Sequence, residues 1–501
     1  MLIEGLSGAL DILLTGSTLG WLIAGILFGI VIGSIPGLGP NLGLAIVLPL
    51  TVRLDGPDAI ILLISIYSGA MYGGSIAAIL INTPGTAAAA ATTLDGYQMT
   101  RKGKAMTALS VSATASVIGG VLATITLILL TPHLTTIVLM FGSPEYFLIA
   151  LFGIALITVV ARGSLVKGLT AGAFGLLLST IGFPIAAGQP RYTFDTMMLF
   201  DGLDFVAVLI GIFAIGEMIK LAGERGGIAR GGLDMGGNVA SGVVDVVRAP
   251  ITTIKSGFIG MFIGAIPGSG ASIANFVSYA ETVRSGGGDE EFGDGNHRGV
   301  IASEAANNGT VAGSLIPTLS FGIPGSGATA ILLGGLVMHG LNPGPELFTT
   351  NIDTTYSIFL ALLAGNAIIL AVGLLFITKT SYITQVNSNY LIPLVVVFST
   401  LGALGLRGSW LDVFTVLLFG VFGFFLMRYN YSIIAFVLGI ILGPIAEENL
   451  VRSLQLSDGS LLIFVNEPIP LILTSLTVLL VGLPLLKALT NTLRKYGAMD
   501  S

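Results

Sequence analysis

The chain has 501 residues, 53% of them hydrophobic and only 10% charged, with a formal net charge of −6, 70 glycines and no cysteine. Soluble domains carry about 25% charged residues, so this composition excludes an ordinary soluble domain; repeated apolar runs of about 20 residues make the chain a polytopic membrane protein. The lack of Cys excludes disulfides and cysteine-ligated metals, and His133, His297 and His339 lie too far apart in sequence for a metal-type spacing.

The first stretch, MLIEGLSGALDILL, has acidic residues and no Lys or Arg, so it reads as a short interfacial helix rather than a cleaved signal peptide. A span over 19–35 then runs into a break, GSIPGLGPN at 33–41, followed by residues 42–52, too short to cross and expected as a half-helix or re-entrant arm. A second long span, 59–81, meets the break NTPGTA at 82–87, a small-residue arm at 87–94 and a basic loop with Arg101, Lys102 and Lys104. Spans follow at 105–130, 146–161, 165–183 and 203–221, the last two separated by a polar segment, 187–201, with Arg191, Tyr192, Asp195 and Asp201. A polar linker over 222–249 carries Arg225, Arg230 and Arg248.

The second half starts over. Residues 251–266 lead to the break GAIPGSGAS at 264–272 and an arm at 273–283; a Gly/acid loop at 285–296 carries Asp289, Glu290, Glu291 and Asp294 without the EF-hand spacing. The span 300–319 is spotted with Glu304, Asn307 and Asn308, and ends at the break FGIPGSGAT, 321–329, with its arm at 328–338. Further spans lie at 356–377, 391–406, 411–427, 433–442 and 471–486, before a tail with Lys487, Arg494 and Lys495.

The two halves match in order and spacing. GSIPGLG and GAIPGSG agree at five of seven positions, and Gly73 precedes Pro84 by 11 residues as Gly313 precedes Pro324. The Pro-Gly pairs are 48 residues apart in the first half and 57 in the second, the excess being about the length of the acidic loop. This is the pattern of an internal duplication. Lys and Arg collect on the cytoplasmic side, which puts 101–104, Arg162 with Lys167, the linker and the tail inside. The segments 187–201 and 339–354, together with the N-terminus, are then outside. Corresponding loops of the two halves thus face opposite sides, the arrangement of inverted-repeat secondary transporters. The expected fold is an all-α polytopic membrane protein of two inverted-topology repeats with broken or re-entrant helices: about 10–12 transmembrane spans plus helical hairpin arms. Residues 1–225 form the first repeat, 226–250 a cytoplasmic linker, and 251–501 the second repeat with an extra C-terminal helix.

Proline inside an apolar run removes a backbone donor and stops a helix. In lipid such a break is tolerated only where it is buried in protein or lines a wet cavity. A half-helix N-terminus presents free N–H groups and about half a positive charge, which can bind a carboxylate without a buried Lys or Arg. No Lys or Arg stands within the four breaks. The candidate substrate-binding residues are therefore Pro36, Gly37, Asn41, Pro84, Gly85, Thr86, Gly268, Ser269, Ser272, Pro324, Gly325, Ser326 and Thr329. Glu304, Asn307 and Asn308 are candidate ligands for a cation, since an ionisable residue inside a span marks function by default. Tyr67, Tyr72 and Ser75 in the matching first-half span could act similarly. Glu217 beside Lys220 reads as an interfacial pair, and His133 and Glu145 as water-facing residues flanking a short loop. No cofactor, structural metal or nucleic-acid partner is expected.

GSIPGLGPNLGLAIVLPLT, YGGSIAAILINTPGTAAAAATTLDGYQM, GAIPGSGASIANFVSYAE, SEAANNG and PTLSFGIPGSGATAILLGGL together resemble the large membrane subunit of the tripartite tricarboxylate transporters, over essentially the whole chain. The resemblance implies a carrier, not an enzyme, in the bacterial inner membrane; with the Lys/Arg distribution above, the N-terminus is then periplasmic and the C-terminus cytoplasmic. It implies uptake of organic acids such as citrate, driven by an ion gradient with Na⁺ or H⁺ as coupling cation. The implied partners are a periplasmic solute-binding protein and a small membrane subunit of about four helices; a homo-oligomer is compatible with it. An anion channel, which would need a continuous pore, and an intramembrane enzyme, which would need a nucleophile–base pair or a metal, are the alternatives.

Overall fold

The computed structural model describes residues 2–160, 165–183, 188–223, 235–286, 291–376, 388–480 and 482. Arg162, Arg225, Arg230, Asp289, Glu290, Lys487, Arg494 and Lys495 lie outside the described residues, as do the first part of the expected linker and the ends of the spans expected at 356–377 and 471–486. The regular secondary structure among the described residues is helical, apart from one isolated bridge between Gly182 and Arg191. The chain divides into two compact units, 1–136 with 206–425, and 137–205 with 426–501, so each unit draws on both halves of the sequence.

The first unit opens with α1 (Leu2–Leu13), α2 (Gly16–Ser34), α3 (Gly39–Val47), α4 (Gly56–Ile81), α5 (Thr92–Arg101) and most of α6 (Ala105–Leu139). The second unit contains α7 (Ser143–Val160) and α8 (Leu165–Ser179). The chain then returns to the first unit through α9 (Phe205–Gly223), which contains a π turn at Gly211–Ile215. There follow α10 (Val239–Val247), α11 (Pro250–Gly264), α12 (Gly270–Ser285), α13 (His297–Phe321), α14 (Gly327–Met338), the single turn α15 (Pro345–Phe348), α16 (Ile352–Leu375), α17 (Ser388–Arg407) and most of α18 (Trp410–Arg428). The second unit is completed by α19 (Ile433–Leu456) and α20 (Pro468–Leu480). The second part of the stretch read as a linker is thus the apolar helix α10, bent by 80° from α11.

Among the described residues, seven helices are long and apolar enough to cross a membrane, or eight if the bent α10–α11 pair is one span. This is fewer than the 10–12 expected. Each half of a broken helix is too short by itself: α3 has 9 residues, α11 has 15, α12 has 16 and α14 has 12. The 25-residue α13 is long enough, but its Glu304, Asn307 and Asn308 dilute its hydropathy.

The core of the first unit rests on two glycine-seamed helix pairs. Across α2 and α4, a Cβ at Gly29, Gly33, Gly69 or Gly73 would strike the carbonyl of Ile66, Ala70, Ile26 or Ile30 on the facing helix. Across α11 and α13, Gly260, Gly264, Gly309 and Gly313 stand in the same relation to Ala306, Thr310, Gly257 and Met261. Glycine at every fourth position lets backbones touch, and close packing rather than hydrophobicity holds helices together in lipid. The ends of the two inner helices also match. α4 stops at Asn82, in the left-handed conformation (φ 55°), before Thr83-Pro84; α13 stops at Gly322 (φ 67°) before Ile323-Pro324. Asn and Gly tolerate that conformation, and Pro shortly beyond it cannot continue the helix. In the second unit α19 packs on α8 through Gly172, Gly175, Gly439 and Gly443, and Arg191 pairs with Glu447 at 2.5 Å.

Candidate functional site

The four breaks come in two geometries. At the first, Gly37 takes φ +83° and Gly39 φ +58°, and α3 starts with no side-chain cap. At the third, Gly268 and Gly270 take φ +77° and +66°, and α12 likewise starts without a side-chain cap. The left-handed turn therefore follows the proline. Asn41 and Ser272 stand in the first turns of these helices, and Ser269 directs its hydroxyl back onto the carbonyls of Ile263 and Ile266.

At the second and fourth breaks the left-handed residue, Asn82 or Gly322, precedes the proline by two positions. The chain is then extended when it reaches Thr86 and Ser326, and both hydroxyls cap a helix start. Thr86 Oγ1 accepts from Ala89 N at 3.2 Å. Ser326 forms a full capping box: its Oγ accepts from Thr329 N at 3.2 Å, while Thr329 Oγ1 accepts from Ser326 N at 2.8 Å. The glycines that follow the prolines here, Gly85 and Gly325, are not in the positive-φ region. Gly85 is needed because a Cβ would collide with the carbonyl of Gly33, and Gly325 because a Cβ would sit 3.0 Å from Gly264 O and 3.1 Å from Ser314 Cβ. Close approach, not backbone twist, fixes these two glycines.

The breaks meet. Gly39 lies against Gly85 and Thr86, and Gly268 N donates to Gly325 O at 3.2 Å. Asn41 packs on Gly327 beside Phe213 of the π turn, and Asn275 Nδ2 donates to Ala88 O at 2.8 Å. Each break thus touches, directly or through the arm it opens, one break of its own half and one of the other half. Tyr67 Oη lies 3.4 Å from Ser314 Oγ on the helix leading to the fourth break.

A second polar centre lies in α13. Glu304 is fully buried, and hydroxyls from three helices surround its carboxyl. Ser75 Oγ of α4 reaches Oε1 and Oε2 at 2.6 and 2.7 Å, Ser116 Oγ of α6 reaches Oε2 at 2.9 Å, and Thr92 of α5 donates to Oε1. Asn307 Nδ2 donates to Met71 O at 2.9 Å, and Asn308 faces Asn366 of α16. The Oδ1 atoms of Asn307 and Asn308 are buried without a hydrogen-bond partner among the described residues. Such oxygens suit a small cation, although no group of three or more His, Cys, Asp or Glu among the described residues could hold a metal ion.

Sequence reasoning missed Thr92, Ser116, Asp95 and Asn366. Ser112 and Ser116, four apart in α6, and Asn366, isolated in an apolar span, were the available signals. Asp95, also fully buried, accepts from the amides of Gly293, Gly295 and Asn296 at 2.8–2.9 Å and from Tyr279 Oη at 2.8 Å, tying α5 to the loop that opens α13. Glu217 does pair with Lys220, at 3.4 Å. The reading of Glu145 as water-facing is corrected: it is buried, and its Oε2 accepts from Gly142 N at 2.8 Å at the start of α7. His133 is exposed, but lies within α6 rather than in a loop.

Residues 19–438 match the family model described as Tripartite tricarboxylate transporter TctA family. The chain is similar to a protein of Agrobacterium vitis described as "Uncharacterized 52.8 kDa protein in TAR-I ttuC' 3'region", at 34% identity over 93% of each chain. It is also similar to the "Uncharacterized protein in TAR-II ttuC' 3'region" of the same organism, at 30% identity over 46% of this chain and 96% of that one. No solved structure matches the chain.

Proposed function

The chain belongs to the tripartite tricarboxylate transporter TctA family, a multi-pass membrane protein and the membrane component of such systems, and from that premise we propose that it imports organic acids across the bacterial inner membrane, driven by an ion gradient. Substrate reaches it from a periplasmic binding protein, and a small four-helix membrane subunit completes the system. The carboxylates bind between the breaks at Pro36, Pro84, Pro267 and Pro324. The observation that carries this reading is the meeting of all four breaks in a region without Lys or Arg. The starts of α3 and α12 have no side-chain cap, so their first amides are the donors for an anion. Glu304, Asn307 and Asn308 serve the coupling cation.

The two halves act as inverted repeats, with the N-terminus periplasmic and the C-terminus cytoplasmic. Two contacts support this. Thr51, at the end of the first arm, lies 3.1 Å from His339, at the end of the fourth. Lys102, at the end of the second arm, pairs with Asp294, beyond the third, at 3.1 Å. Each contact joins the end of a first arm of one half to the end of a second arm of the other, as a two-fold relation between the halves requires, and the Lys/Arg distribution places its axis in the membrane plane. The chain has no cysteine, so Lys102→Cys and Asn342→Cys can be labelled singly with an impermeant thiol reagent. Opposite-side labelling is expected, and same-side labelling rejects the inverted repeat.

The function is tested by uptake into proteoliposomes holding all three components, across a panel of di- and tricarboxylates, with Na⁺ and pH gradients varied separately. Saturable, gradient-dependent accumulation of at least one acid is expected. Uptake that neither saturates nor runs uphill would identify an anion channel.

A further inference from the structure

Glu304 has no basic partner among the described residues. Its carboxyl sits in a full cage of hydroxyls: Oε1 faces Ser75 and Thr92, and Oε2 faces Ser75 and Ser116. An ionised carboxylate offers about four lone-pair sites, and the three hydroxyls, with one proton each, fill at most three of them, so both oxygens are crowded by donors. A buried carboxylate without a counter-charge is costly, which favours a protonated form, while the three hydroxyls favour the ionised one.

One member of the cage cannot be satisfied in a single state. Thr92 Oγ1 lies within donating distance of both Glu304 Oε1 and Ser303 Oγ, the latter at 3.0 Å, but a hydroxyl has one proton. Ser303 spends its own proton on the carbonyls of Gly299 and Val300, at 3.0 and 3.1 Å, so its oxygen is open to accept. With Glu304 ionised, Thr92 donates to the carboxylate. With Glu304 protonated, the carboxyl donates to Thr92, and Thr92 turns to donate to Ser303.

We propose that Glu304 is a proton-carrying site and that Thr92 is the hydroxyl switch that reports its state to the second break. A proton from the aqueous phase forms an O–H bond at Oε1, and the Thr92 proton swings from Oε1 to Ser303 Oγ; no electron moves and no other bond breaks. The cage stands on both sides of that break. Ser75 follows Gly74, whose carbonyl accepts from Gly85 N at 3.1 Å, and Thr92 opens the helix on the arm leaving it.

The titratable groups on the packed elements do not replace Glu304 in this role. Tyr72 of α4 is the one beside the carboxyl. Asp95, one turn beyond Thr92 on α5, is held by three amides and by Tyr279 of α12. Lys255 of α11 pairs with Glu281 of α12, His297 and Arg298 stand at the start of α13 and Asp353 and Tyr356 at that of α16, and α6 brings hydroxyls.

The proposal rests on the carrier reading above, and its test uses the full chain with its partner subunits in proteoliposomes, with radiolabelled citrate as the first probe. Glu304→Gln keeps the size of the side chain and removes the exchangeable proton. It is expected to lose accumulation driven by a pH gradient while the purified protein melts as the wild type does. Thr92→Val is expected to do the same in weaker form, and Thr92→Ser to restore the wild-type response. Uphill uptake by Glu304→Gln under a pH gradient alone, or a wild type driven by Na⁺ and indifferent to pH, overturns the proposal. The infrared band of a protonated carboxyl is read on the protein itself and decides the assignment even if no acid in the panel is carried. A titrating band in the wild type that is missing in Glu304→Gln is expected, and no difference between the two spectra overturns it.

Discussion

The tetrapeptide Pro-Gly-Ser-Gly occurs at 267–270 and again at 324–327, and it folds in two ways. At 267–270 the two glycines are left-handed, the serine is helical (φ −65°, ψ −41°), and α12 starts without a side-chain cap. At 324–327 the serine is extended (φ −155°, ψ 172°) and closes a capping box with Thr329. The difference begins upstream. α11 runs to Gly264 and the chain turns only after Pro267, whereas α13 has already turned at Gly322, two residues before Pro324. Identical residues thus leave amides open for a ligand in one place and spend one on a hydroxyl in the other. The first and second breaks repeat the contrast with different residues, GLG after Pro36 and GTA after Pro84. One pair of breaks leaves its helix starts without a side-chain cap, and the other caps them; in the proposed carrier the first pair would bind and the second hold the helices together.

The largest effect should separate the two pairs by stability. Gly85→Ala drives a Cβ into the carbonyl of Gly33. Overpacking costs 1–3 kcal/mol and occasionally more, and a backbone obstacle puts this variant at about 3 kcal/mol or above. At Gly37 the nearest atom to an added Cβ is Leu221 Cδ1 at 3.9 Å, so Gly37→Ala meets only the left-handed strain, roughly 1–2 kcal/mol. Denaturation of the two variants in mild detergent measures both. Equal losses would erase the distinction between a close-approach glycine and a turn glycine.

The next effect should separate them by affinity. Ser272 lies in the uncapped first turn of α12 and carries no capping duty. If Ser272 binds substrate as proposed, Ser272→Ala should cost about 1.5–3 kcal/mol for the lost bond to a charged group, or roughly ten- to a hundredfold in Kd. Its melting behaviour should be that of the wild type. Carboxylate binding to the purified protein is the readout. Wild-type affinity in Ser272→Ala together with a loss in Ser326→Ala would reverse the roles of the two pairs.

The breaks themselves were legible because Pro-Gly within an apolar run has few other readings, and their pairing because spacing survives in the chain. Which of them were capped was not legible. Pro267 and Pro324 precede the same three residues, and the deciding residue, Gly322, is one glycine among many in apolar sequence. Glu304 stood out by its charge and Ser75 by its place in the matching first-half span, but the cage they share did not. Thr92 and Ser116 come from two further helices, and each is unremarked small-residue sequence until the fold brings them to one carboxyl. Fewer spans than expected stand among the described residues because apolar stretches such as α8 and α20 form helices shorter than a crossing needs, and because α13 is diluted by polar residues.

The smallest effect tests whether the fourth break is scaffolding. If Ser326 serves only its capping box, Ser326→Ala should lose about 1 kcal/mol of stability, the usual cost of removing an N-cap hydroxyl, and Ser326→Gly only a few tenths. A substrate-binding hydroxyl predicts a different order, since Ala and Gly lack the group equally and should weaken binding alike. The two variants therefore divide capping from recognition without any change of charge or bulk. Stability that falls in Ala and recovers in Gly, with carboxylate affinity near wild type in both, assigns Ser326 to the cap. Equal loss of affinity in both, with stability unchanged, makes the fourth break part of the binding surface, and the carboxylate then lies between Ser326 and the start of α3, where Asn41 already touches Gly327.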